Sequence, residues 1–259
     1  MARDYRIGSR VTVATAALLV ALSGGHAGAQ DTVYQATLGE ANQKTAEVST
    51  AELQRILAAR SALVLDARPH MEYAMSHIPG ALNVAPKPGV PMSMYVSDVA
   101  EIERVVGGDR SRALVLYCNG PFCGKSKRLS EELVAAGFTN VRRYQLGIPV
   151  WRALGGVTEI ELDGIVRIFN VDRTAVFLDG RTTEEFSAGS LPGARNIPVG
   201  TTEFEGHPLL RSDDFNTRIV VFGRDPGQAR ALAEAIVRVA RHNVSYFPGT
   251  FDTLRTAIK

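Results

Sequence analysis

Two cysteines occur among the 259 residues, and both fall in one loop, Tyr117-Cys118-Asn119-Gly120-Pro121-Phe122-Cys123-Gly124-Lys125-Ser126. The apolar run Ala113–Tyr117 leads into this loop, and a helix-like segment, Lys125–Ala136, leads out. A thiol placed where a buried strand ends and a helix begins sits among converging backbone N–H groups, at the positive end of the helix dipole. Such a thiol ionises readily, and the thiolate is the nucleophile. Gly120 and Gly124 allow the backbone to curl its N–H groups inward. Successive N–H groups at a helix N-terminus hold an anion. Lys125 is the nearest fixed cation; Lys127 and Arg128 follow on what could equally be a solvated helix face. These residue types suit covalent chemistry on a small anion. In an oxidising compartment the same two thiols could instead pair with each other.

The elements that must position the loop occur twice. Leu63-Val64-Leu65-Asp66-Ala67-Arg68 with Glu72-Tyr73 is matched by Val176-Phe177-Leu178-Asp179-Gly180-Arg181 with Glu185-Phe186. His77-Ile78-Pro79-Gly80-Ala81-Leu82-Asn83 is matched by Ser190-Leu191-Pro192-Gly193-Ala194-Arg195-Asn196. All these pairs share one offset, without a gap. The repeat continues more loosely through Ile219–Phe222 and a helical stretch from Gly227 to Arg241, where Leu232, Ile236 and Val237 have helical spacing. Short apolar runs alternating with helices predict, in each copy, a mainly parallel sheet flanked by helices. Ligands of such sheets bind beyond the carboxyl ends of the strands, where Cys118 lies. Ile165–Ile168 reads as a short strand of the second copy. The expected organisation is a signal peptide over 1–29, a mobile lead-in over 30–46, a cysteine-bearing domain over 47–157 and a cysteine-free domain over 158–259.

The signal peptide is read from a basic start (Arg3, Arg6, Arg10), an apolar run from Val11 to Leu22 and the small residues Ala27-Gly28-Ala29. The run is short for a bilayer span, so no membrane span is expected after cleavage, and the protein is expected to be periplasmic or secreted. Removing that segment takes away the small excess of basic over acidic residues. Nucleic acid is therefore not an expected partner. The five histidines lack ligand spacing, so neither a metal nor another cofactor is expected.

Taken together, the duplicated Asp-x-Arg and Pro-Gly-Ala segments, Tyr117-Cys118 with its glycine-containing loop, and Gly147-Ile148-Pro149-Val150-Trp151 resemble the tandem rhodaneses, a family of two-domain sulfurtransferases. The resemblance implies an α/β fold of two tandem rhodanese-like domains. It also implies a mechanism: Cys118 takes the outer sulfur of a donor such as thiosulfate or 3-mercaptopyruvate, becomes a persulfide, and passes the sulfur to cyanide or a thiol, including a protein thiol. Residues Asn119, Gly120, Pro121, Phe122, Cys123, Gly124 and Lys125 would form the substrate cradle, with Asp66 and Arg68 in support.

Two departures from the family pattern matter. Many members carry arginine at the fifth position after the cysteine; here it is Cys123, which could resolve a Cys118 persulfide, lock Cys118 in a disulfide, or stand by as a small residue. In the second copy the position of Cys118 is taken by Gly223, which has no nucleophile. Asp179 and Arg181 persist there, so the Asp–Arg pair reads as structural. His77, replaced by Ser190, reads as a turn residue or a polar neighbour of the site, and Trp151 as core or pocket rim. Three rival functions remain. A phosphatase-like loop would place arginine at the sixth position, where Gly124 stands. A thiol–disulfide oxidoreductase would use both cysteines, though without the usual two-residue spacing. A binding module would need the disulfide only for structure.

Overall fold

The structure, a computed structural model, describes residues 33–85, 98–201, 217–239 and 243–258. The expected signal peptide and the proline-rich stretch after Ala85 lie outside them. Tyr34–Lys259 form one compact unit holding two five-stranded sheets, every strand pair parallel.

In the first sheet the order is β1 (Ala46–Glu47), β5 (Val141–Tyr144), β4 (Leu114–Tyr117), β2 (Leu63–Asp66), β3 (Leu82–Asn83). The second repeats it: β6 (Thr158–Glu159), β10 (Val244–Tyr246), β9 (Ile219–Phe222), β7 (Val176–Asp179), β8 (Arg195–Asn196). Even the register recurs, Asp66 opposite Tyr117 and Asp179 opposite Phe222.

The central strands are apolar without alternation because helices cover both faces. In the first domain, Val64, Val115 and Tyr117 pack with Leu53 and Ile56 of α1 (Thr50–Ala59) and with Ile148 and Trp151 of α5 (Gly147–Ala153). On the other face, Leu65, Leu114 and Leu116 meet Ile102 of α3 (Asp98–Val105) and Leu129 and Leu133 of α4 (Gly124–Ala135). Helix α2 (His70–Met75) lies between β2 and β3. The second domain has α6 (Leu162–Val171), α7 (Thr183–Ser187), α8 (Pro226–Val237) and α9 (Phe251–Ala257). Both predicted α/β units are present.

Two expectations are corrected. Ile165–Ile168 is part of α6 and not a strand: Ile165 and Ile168, three residues apart, are buried while Arg167 is exposed, which is helical periodicity. This helix is the counterpart of α1. The described part of the lead-in is also no free tail. The Tyr34 hydroxyl donates to the Leu154 carbonyl at 2.8 Å, and Glu40 accepts from Arg143 and Gln145, each at 2.8 Å. Arg143 is fully buried, and a buried guanidinium requires a carboxylate; the lead-in supplies it. The hydrogen bond from Arg143 holds the Glu40 carboxyl below its ordinary pKa, against the opposing effect of burial.

The domains meet through a short antiparallel bridge. His77 N–H donates to the Glu159 carbonyl at 2.9 Å, and Glu159 N–H to the His77 carbonyl at 2.8 Å. Gly164 lets α6 close on α2, since a Cβ there would lie 2.1 Å from the Ala74 carbonyl oxygen.

Candidate functional site

Strand β4 ends at Tyr117, and the next residue, Cys118, is buried at 2% exposure. Six residues later α4 begins at Gly124, with Cys123 as its N-cap. Between them Gly120 turns the chain at φ +105°, and Cys123 N–H donates to the Gly120 carbonyl at 3.0 Å. The two cysteines are joined in a disulfide, with Cα atoms 6.2 Å apart. Cys123 is half-buried and Phe122 projects wholly into solvent. Pro121 has no N–H to offer; its carbonyl accepts from Gln145 at 3.4 Å. Lys125 and Arg128 lie within electrostatic reach of Asp98 on α3, while Lys127 pairs with Glu40 at 3.5 Å.

The sulfur of Cys123 is engaged in the disulfide, and its side chain makes no capping hydrogen bond to α4, whose first turn also lacks an acidic residue. Among the described residues, no carboxylate or hydroxyl cap is found for the orphan N–H groups of that turn. The second domain shows the opposite arrangement. Helix α8 starts three residues after Gly223, Asp225 caps it by accepting from Gln228 N–H at 2.9 Å, and Pro226 fills its first position. The Gln228 side chain folds back to accept from Arg224 N–H at 2.7 Å and lies where a Cβ on Gly223 would point. That loop supplies its own anion and plugs its own space. At the first loop no such cap is found among the described residues, and the space beside Cys118 is taken by its disulfide partner.

A second backbone segment holds the cysteine loop from behind. Ile148 N–H donates to the Cys118 carbonyl at 3.1 Å. Gly147, at φ +67°, passes so close that a Cβ would lie 2.4 Å from Gly120 N and 2.5 Å from the Cys118 carbonyl oxygen. The glycine of the Gly147–Trp151 segment therefore belongs to the site's architecture. Trp151 is core: it is buried and donates to the Val157 carbonyl at 2.8 Å. It also borders a cavity of about 740 Å³ near the amino ends of β2 and β4, away from Cys118.

Asp66 and Arg68 form a buried two-point ion pair at 2.5–3.1 Å, and Arg68 also donates to the Ser76 carbonyl. The Asn83 amide bridges the carbonyls of Asp66 and Arg68. Asp179, Arg181 and Asn196 repeat this arrangement at nearly the same distances. The module builds the carboxyl end of β2 or β7 whether or not a thiol is nearby. Burial, followed by the neighbouring Asp66 charge, drives the Tyr117 phenol far above its ordinary pKa, so it remains neutral.

Glu72 was visible in sequence only as a repeated residue, and its role is structural support of the loop. It accepts from the Asn119 amide at 2.5 Å, anchoring the residue after Cys118. Its counterpart Glu185 grips Arg224, the residue after Gly223, with two bonds of 2.9 Å. His77 belongs to the domain junction: its ring stacks on Tyr73 at 3.9 Å and bonds Glu159 at 3.2 Å. At the same junction His70, Glu161 and Asp163 bring potential ligand atoms within 4.8 Å of one another.

The sequence model of the Rhodanese-like domain matches residues 49–154 and again 168–256. The chain belongs to the rhodanese family. The chain is similar to two curated mycobacterial proteins. One, "HTH-type transcriptional regulator Rv0324" of Mycobacterium tuberculosis, is 33% identical over 108 residues, 42% of each chain. The other, "Putative thiosulfate sulfurtransferase SseB" of the same organism, is 26% identical over 234 residues, 71% of this chain and 81% of that one. Among solved structures, a thiosulfate sulfurtransferase from Pseudomonas aeruginosa aligns with 81% of this chain and 44% of its own at 24% identity and a TM-score of 0.38. Among the described residues of this rhodanese, no helix is long and apolar enough to cross a membrane.

Proposed function

We propose that this rhodanese is an exported sulfurtransferase that carries sulfane sulfur as a persulfide on Cys118. The observation that carries this reading is the N-terminus of α4, without a side-chain cap among the described residues, beside a buried cysteine, set against the capped and plugged loop of the second domain. After reduction of the disulfide, the Cys118 thiolate attacks the outer sulfur of thiosulfate. The bond between the two sulfurs of the donor breaks, sulfite leaves with the bonding pair, and Cys118 retains the sulfane sulfur. The open N–H groups of the first turn of α4 stabilise the anionic sulfur and orient the donor. A thiophile, cyanide or a thiol, then takes the outer sulfur and returns the thiolate. 3-Mercaptopyruvate is the alternative donor. Similarity over most of the chain to a protein named as a thiosulfate sulfurtransferase supports the choice of thiosulfate. The second domain, with glycine in place of the thiol, serves as scaffold.

The test uses fully reduced protein freed of reductant. Thiosulfate with excess cyanide should yield sulfite and thiocyanate from wild type and neither from Cys118→Ser. Equal sulfite from both proteins would overturn the assignment. The disulfide itself favours a second reading, a thiol–disulfide redox module that does not transfer sulfur. That reading predicts dithiol-dependent opening of the bond with no sulfite released from thiosulfate.

A further inference from the structure

We propose that Cys123 is a resolving thiol, so that one donor sulfur is released as sulfide and the Cys118–Cys123 disulfide is the product state of that step. The proposal rests on the Cys118 persulfide reading above. It goes further by giving the sulfur a second fate that needs no external thiophile.

Three observations carry it. First, the loop brings the two sulfurs into bonding contact while β4 and α4 remain regular on either side. Both thiols of the reduced loop are therefore held within reach of each other. Second, Cys123 occupies the N-cap of a twelve-residue helix with no acidic residue in its first turn. That position favours the thiolate form needed for attack. Third, the two residues differ in access, Cys118 being buried and Cys123 half-buried.

The chemistry balances as follows. Cys118 in its persulfide form carries a terminal sulfur anion. Cys123 gives its proton to that terminal sulfur and attacks the inner sulfur, Sγ of Cys118. The Sγ–Sγ bond forms, the bond from Cys118 Sγ to the terminal sulfur breaks, and hydrosulfide leaves with the electron pair. The sulfane sulfur gains two electrons, and the two thiols lose them. A dithiol reductant restores both thiols. It attacks the sulfur of Cys123, the more exposed residue, so that Cys118 is the leaving thiolate and is freed for the next donor. Holding the attacking thiol in place makes this step intramolecular, and its rate becomes independent of added thiol.

The experiment is a single turnover without oxygen or free thiol. Reduced protein receives thiosulfate, and sulfite, sulfide and intact mass are measured. Wild type should release about one sulfite and about one sulfide per chain and finish about 2 Da lighter than the dithiol form. Cys123→Ser, with Cys123→Ala as a second variant, should release sulfite without sulfide and retain an adduct of about 32 Da. Sulfite release from wild type with a lasting adduct and no sulfide would overturn the resolving role and leave the persulfide reading intact. Absence of sulfite from wild type would overturn the persulfide reading, and this inference with it.

Discussion

Replacing Gly147 by alanine tests whether the site depends on backbone packing behind the cysteine loop. Two costs follow from the geometry. Alanine at φ +67° occupies left-handed backbone, at about 1–2 kcal/mol. Its Cβ would also lie 2.4 Å from Gly120 N and 2.5 Å from the Cys118 carbonyl oxygen. To regain ordinary van der Waals separation, the loop or the α5 entry must shift by about 1 Å. Both neighbours are backbone atoms, so no rotamer change relieves the contact. The shift disrupts the bond from Ile148 N–H to the Cys118 carbonyl, worth about 1 kcal/mol. The expected loss is therefore about 2–3 kcal/mol in denaturant unfolding. Sulfite release should fall about a hundredfold, as misplacement of a reacting group by this distance implies. Gly155→Ala is the matched control: φ is +79° there, with no heavy atom within 4 Å of the added Cβ. It should lose only the conformational part, about 1–2 kcal/mol, and keep its activity. Equal stability and equal sulfite release for the two variants would refute the packing argument.

Further predictions concern the Asp–Arg modules and the domain junction. Asp66→Asn and Asp179→Asn each strand a buried arginine, and each should cost about 3 kcal/mol in unfolding free energy; Asp179→Asn should still release sulfite, because its own loop holds no thiol. A loss below about 1 kcal/mol would mean that these pairs behave as surface pairs. At the junction, burial tends to raise the Glu159 pKa, but hydrogen bonds from His77 and Tyr246 outweigh it and hold the carboxyl below its ordinary value of 4.5. A depressed carboxylate stabilises the fold fully above its unfolded pKa, and the benefit is lost as pH falls through the folded value. Urea midpoints should therefore fall as the pH drops through and below the ordinary value of 4.5, and less steeply in Glu159→Gln; identical slopes would remove Glu159 from the junction's energetics.

Much of the fold was legible because its signals are local and duplicated. The apolar runs Leu63–Asp66 and Leu114–Tyr117 lack alternation, as strands covered on both faces must, and the repeated Asp-x-Arg and Asn positions marked matching turns. Ile165–Ile168 misled because a four-residue apolar stretch cannot distinguish strand from helix without its wider period. Glu72 was legible as a repeat but not as the anchor of Asn119, since that pairing joins residues far apart in sequence. Glu40 was hidden for the opposite reason: its polar neighbours resemble a loose tail, and only buried Arg143 reveals what it satisfies. The contrast between an open and a capped helix start was half-visible. Asp225-Pro226 is a readable helix-start signal, whereas the missing cap on α4 became evident only once Cys123 was seen bonded to Cys118.

The bridge between His77 and Glu159 has a consequence beyond holding two domains together. Among the described residues, strand β6 lies at the end of the second sheet, with β10 on one side only. On its outer side, the N–H and carbonyl of Glu159 are both taken by His77. An unpaired strand margin is a template for pairing with other chains, and here the neighbouring domain occupies it. The cysteine-bearing domain thus acts as a built-in guard against self-association of its partner. A second domain produced alone would expose that margin and should be prone to aggregate.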